Sequence, residues 1–106
     1  MNMDEYQNLC FRTWNQGGTI RDQIINAALG IAGESGEWAE GMKKWLYHSH
    51  DRPNVNELGD LLYYIAIEAG LLGVTMEELA YRNVEKLRKR YPDGFSKERS
   101  QNREDE

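Results

Sequence analysis

The stretch from Gly30 to Asp60 constrains the fold most, because it carries two pairs of acids at one helical spacing. Glu34 and Glu37 stand three residues apart in Gly30-Ile-Ala-Gly-Glu-Ser-Gly-Glu37, and Glu57 and Asp60 stand three apart in Glu57-Leu-Gly-Asp60. Residues i and i+3 of an α-helix project from neighbouring points on one face, so each pair can grip one cation. Two such helices packed antiparallel place four carboxylates around one pocket. Four hard oxygen donors suit Mg²⁺, with Mn²⁺ as a substitute, and Mg²⁺ sites usually complete their shell with phosphate oxygens of a substrate.

The neighbours of these acids set them apart from ordinary surface charge. A step of seven residues along a helix returns to nearly the same face, offset by about 20°. Seven before Glu34 is Ala27 and seven before Glu37 is Gly30, so both acids continue a small, apolar stripe. Leu61, Leu62, Ile65, Ala69 and Leu72 form the expected apolar face of the next helix, with Asp60 and Tyr64 along its border. Carboxylates at the mouth of a bundle are costly without a counter-charge, and a metal supplies one. Glu57 has a structural alternative, since Asn54 followed by Glu57 reads as an N-cap with its N3 partner. A di-iron bundle also places acids on facing helices, but it calls for Glu-x-x-His pairs. Here position 37 is Glu and position 60 is Asp.

With 106 residues the chain is long enough for one core, and association would help it. A net charge of −5 argues against a nucleic-acid backbone as partner, although eight of the thirteen Lys and Arg fall between Arg82 and Arg103. The single cysteine, Cys10, excludes an internal disulfide and fits a reducing, cytoplasmic setting; its apolar helical stripe makes it a packed core thiol. No apolar run approaches a membrane span, and the N-terminus lacks the apolar core of a signal peptide.

Read in order, Asp4 to Trp14 is a first helix with a stripe of Tyr6, Leu9, Cys10, Thr13 and Trp14. Asn15 to Gly18 stops it. A second helix runs from about Arg21 to Tyr47, its glycines allowing another helix to approach closely. Trp38 and Trp45 lie seven apart on it; core or interface packing is the simpler reading of both, and Trp45 is the better candidate for stacking on a base. His48 and His50 occupy a polar loop, where no third nitrogen or sulfur ligand accompanies them for zinc. A third helix spans about Val55 to Leu72. The capping box Thr75-Met-Glu-Glu78 opens a fourth that runs to about Tyr91. On it Asn83, Lys86 and Arg90 share a face, suited either to solvent near a helix C-terminus or to phosphate. The expected architecture is a single all-α domain over residues 1–95, a four-helix hairpin bundle, followed by a charged, disordered tail over 96–106.

Glu34-Ser-Gly-Glu37 followed by Glu57-Leu-Gly-Asp60, with nineteen residues between Glu37 and Glu57, resembles the signature of the MazG-like, all-α nucleoside triphosphate pyrophosphohydrolases. The resemblance continues through Asn83-Val-Glu-Lys86 to Arg90-Tyr-Pro-Asp-Gly-Phe95 and covers most of the chain from Tyr6 onward. It implies metal-dependent hydrolysis of a nucleoside or deoxynucleoside triphosphate to monophosphate and pyrophosphate, a house-cleaning type of activity. It implies Mg²⁺ held by Glu34, Glu37, Glu57 and Asp60, with Glu37 as the candidate for orienting water. Asn83, Lys86 and Arg90 would then contact phosphates, and Tyr64 and Trp45 the sugar or base. It further implies a bundle completed by oligomerisation, as a homodimer or homotetramer. The alternative from another class is a non-catalytic helical interaction module whose acids are only a charged surface.

Overall fold

The computed structural model describes residues 1–48, 51–95 and 97. Its helices are α1 (Met3–Phe11), α2 (Ile20–His48), α3 (Glu57–Leu71) and α4 (Met76–Arg90), and no strand occurs among the described residues. The all-α expectation therefore holds. His50 and the expected tail, apart from position 97, lie outside the described residues.

Three of the four helices, α1, α2 and α4, begin where a side chain takes up orphan N–H groups. Asn2 caps α1, its Oδ1 accepting from the Glu5 N–H at 2.8 Å. Ahead of α2, the Thr19 Oγ1 accepts from the Asp22 N–H and the Asp22 carboxylate accepts from the Thr19 N–H, both at 3.1 Å. This reciprocal box explains why α2 starts at Ile20, slightly before Arg21. Asn54 does not act as the N-cap of α3. Its Oδ1 accepts from the Asn56 N–H at 2.8 Å in a local turn, and Glu57 is the first residue of the helix. The Glu57 carboxylate is thus not spent on capping.

The start of α4 is capped largely by α1. Thr75 Oγ1 accepts from the Glu78 N–H at 3.1 Å, while the Glu78 carboxylate turns to Arg82 rather than back to Thr75. The Met76 N–H donates to Gln7 Oε1 at 3.1 Å, and the Glu77 N–H donates to Asp4 Oδ1 at 3.0 Å. Gln7, itself buried, also donates from Nε2 to the carbonyls of Ala66 and Val74, both at 3.0 Å. One side chain thereby ties α1 to the α3–α4 link.

α2 and α3 form an antiparallel hairpin. Gly30 lies against the Tyr64 ring and Gly41 against the Pro53 ring, so contacts run in opposite chain order. A methyl group at position 41 would fall 2.6 Å from Pro53 Cγ, which is why the chain carries glycine there. By contrast, a Cβ at Gly33 or Gly36 would meet nothing within 4 Å, so the close approach expected of the α2 glycines is used only in part. α3 is gripped between α1 and α2, with Ala66 and Ile67 fully buried beside Ala27, Cys10, Ala69 and Met76. The expected α3 stripe holds in part: Ala69 is buried, Leu61, Leu62 and Ile65 are half-buried and Leu72 is exposed, while the most buried positions are Ala66 and Ile67. α4 turns off α3 by 98° and packs on α1 and α3. No single helix among the described residues is long and apolar enough to cross a membrane.

Candidate metal centre

The α2–α3 hairpin brings the two acid pairs face to face. Carboxylate oxygens of Glu34, Glu37 and Glu57 lie within 4.8 Å of one another, close enough for one ion to be shared by all three. Asp60 stands one turn beyond Glu57, outside that trio but near enough for its charge to act on Glu34. The Glu34 carboxyl is held above the ordinary carboxylate range. Partial loss of water is the first cause, followed by the charges of Glu37 and Asp60, a hydrogen bond with Glu37, and the charge of Glu57. Among the described residues no Lys or Arg forms an ion pair with these four acids; Arg82–Glu78 and Arg88–Glu85 both lie within α4.

Converging, mutually repelling oxygens without a cation are the donor set that a hard divalent metal fits. The acid that could have been a cap, Glu57, is free to join it because the Asn54 turn precedes the helix. Among the described residues no His or Cys belongs to this cluster.

The other expected site residues are placed less simply. Asn83 and Lys86 line a hollow on α4 with Met76, Leu79 and Arg82, separate from the hollow lined by Glu37 and Glu57. Arg90 ends the same helix. Tyr64 is half-buried, its ring over Gly30 and edge-to-face with Trp14 at 6.3 Å and with Tyr63 at 5.3 Å. Trp45 is 49% exposed near the end of α2 and is not part of the acid-side hollow. Trp38 and Lys44 are part of it, together with Glu37, Gly41, Pro53 and Glu57. Heptad spacing from Glu37 to Lys44 was the signal in the sequence that could have found Lys44.

At the Asp60 end the wall is aromatic. Tyr6 lies close enough to feel the charges of Tyr63 and Asp60. Burial, then its hydrogen bond with Cys10, pushes its phenol up to about 12. Tyr6 is therefore a neutral hydroxyl at any working pH. Cys10 is buried, as a core thiol should be.

The profile of the MazG nucleotide pyrophosphohydrolase domain matches residues 24–95, about two thirds of the chain, taking in both acid pairs and α4 but not α1. No curated protein and no solved structure matches it. The match spans α3 and all but the first four residues of α2, the two helices on which Glu34, Glu37 and Glu57 converge, and on this ground the chain belongs to the MazG nucleotide pyrophosphohydrolase domain family.

Proposed function

We propose that the protein hydrolyses nucleoside or deoxynucleoside triphosphates to the monophosphate and pyrophosphate, in a reaction that depends on Mg²⁺. The observation that carries this reading is the meeting of Glu34, Glu37 and Glu57 across two helices with no ion pair to a Lys or Arg among the described residues. Glu34, Glu37, Glu57 and Asp60 would hold the metal. When bound, Mg²⁺ neutralises phosphate charge and polarises the phosphoryl group under attack.

The residues of the chain supply the rest. Glu37 is exposed and reaches the adjoining hollow, whereas Glu34 is half-buried, which supports Glu37 over Glu34 as the acid that orients a water and takes its proton. That water attacks the α-phosphorus. The bond from the α-phosphorus to the bridging oxygen breaks, and pyrophosphate leaves with the electron pair. Asn83, Lys86 and Arg90, whose helix turns away from the acids, would meet the outer phosphates within a homodimer or homotetramer. A reducing cytoplasm, in which a lone thiol such as Cys10 persists, is the compartment this reading assigns.

Pyrophosphate release from a panel of ordinary and modified nucleoside triphosphates tests the reading, with Mg²⁺, with Mn²⁺ and with EDTA. Metal-dependent release of pyrophosphate with the monophosphate is expected. Release of orthophosphate alone would mean that a different bond is cut, and no release from folded, metal-bound protein would leave a binding module.

A further inference from the structure

We propose that the hollow beside the acid cluster receives the nucleobase, with Trp38 as its stacking wall and Lys44 as a hydrogen-bond donor at its far end. The proposal rests on the triphosphate reading above and assigns the base end of that substrate. Three features of the hollow carry it.

The first is continuity. Glu37 and Glu57 form one edge of the hollow, so a substrate whose phosphates reach the acids has its nucleoside half directed either into it or out to solvent. The second is shape and chemistry. The space is about 360 Å³, at the small end of the range for small-molecule sites. Two of its walls are the half-buried indole of Trp38 and the Pro53 ring, which sits directly on the bare Cα of Gly41, while Glu40 and Asn54 add polar groups to the lining. Flat apolar walls beside a charged centre suit a heterocycle better than a phosphate chain.

The third is the position of Lys44. It lies seven residues after Glu37 on α2, roughly 10 Å along the axis and on nearly the same face. Helical side chains lean toward the N-terminus, which aims its ammonium back over the hollow. Lys44 pairs with neither Glu40, one turn earlier, nor any other described acid, so its three donors are available to a base edge. Other aromatic residues near the acids are committed elsewhere: the Tyr64 ring is pinned over Gly30 between Trp14 and Tyr63.

The test compares two probes in the presence of Mg²⁺: the nucleoside monophosphate products, which carry a base, and inorganic pyrophosphate, which does not. Calorimetric titration of Trp38→Leu should show monophosphate binding weakened roughly 5- to 150-fold, the range expected for one lost stacking contact, with pyrophosphate binding unchanged. Lys44→Gln should change the ranking among bases, and Lys44→Arg should restore part of it. Equal monophosphate affinity in Trp38→Leu and the parent protein would overturn the proposal, as would parallel loss of pyrophosphate binding.

Should Trp38→Leu fail to fold, the protein carrying Trp14→Phe and Trp45→Phe decides. There the Trp38 fluorescence should be quenched by monophosphates and not by pyrophosphate; no quenching overturns the assignment. A parent protein that releases no pyrophosphate from any triphosphate is a different failure, which removes the underlying reaction rather than the hollow.

Discussion

Glu34 is the residue at which the cost of the acid cluster is most visible. Its carboxyl is raised by lost water and by three neighbouring acids, so the fold favours its protonated form. For a group raised in the folded state, the stability contribution is complete below the unfolded value and is lost as pH rises through the folded one. The metal-free protein should therefore lose stability from this site as pH climbs toward neutrality. Glu34→Gln removes one repelling charge: without metal it should melt at a higher temperature than the parent at pH 7, with the difference closing below about pH 4. With Mg²⁺ the order should reverse if Glu34 is the ligand proposed, the variant then binding the ion roughly 10- to 100-fold more weakly or worse. Thermal melts across pH, with and without Mg²⁺, check both halves.

Among the elements, the junction of α1 with the α3–α4 link depends on one amide. Gln7 accepts from the Met76 N–H and donates to the Ala66 carbonyl, both buried, and donates to the part-buried Val74 carbonyl. Gln7→Ala should cost about 2–3 kcal/mol by denaturant unfolding, since it strands buried backbone groups at the start of α4. α3 carries an opposite case in Glu68, whose Oε1 is buried without a partner and whose carboxyl is raised by burial alone. The same sign holds as for Glu34: its ionised form costs stability as pH rises. Glu68→Gln should raise the melting temperature near pH 7 and have little effect near pH 4. A gain that persists unchanged at low pH would show that charge is not the cause.

At the scale of the whole molecule, one chain makes an open structure. Its radius of gyration is 16.9 Å, against about 13 Å for a compact chain of about 100 residues. α2 is 29 residues long, roughly 43 Å at the usual rise, while α3, which packs along it, has 15 residues. Only Ala27 of α2 is buried; Leu29 is 65% and Leu46 72% exposed, and Gly33 and Gly36 face open space. Apolar side chains and glycines left bare on so long a helix are the observation behind the proposed homo-oligomer. The melting temperature should therefore rise with protein concentration, and light scattering should give a mass above the 12.3 kDa of one chain. A concentration-independent melt at the monomer mass would remove the oligomer and, with it, the delivery of Lys86 to the acids.

Periodicity was enough to determine four helices, their order and the acid pairs from which Glu34, Glu37 and Glu57 converge, because helical faces and carboxylate pairs are set by spacing within one element. Cap signals placed α4 correctly, and the box at Thr19 and Asp22 was equally legible in the residues. Only the tertiary structure decided three other matters, each of which depends on partners distant in the chain. The buried face of α3 extends beyond the expected stripe to Ala66 and Ile67 because α1, which spacing within α3 says nothing about, grips it as well as α2. Glu57 is released to the cluster because a turn at Asn54 shifts the helix start by a few residues. Trp38 rather than Trp45 borders the acids because Pro53 folds back onto Gly41, closing a hollow around one indole and leaving the other on the open end of α2.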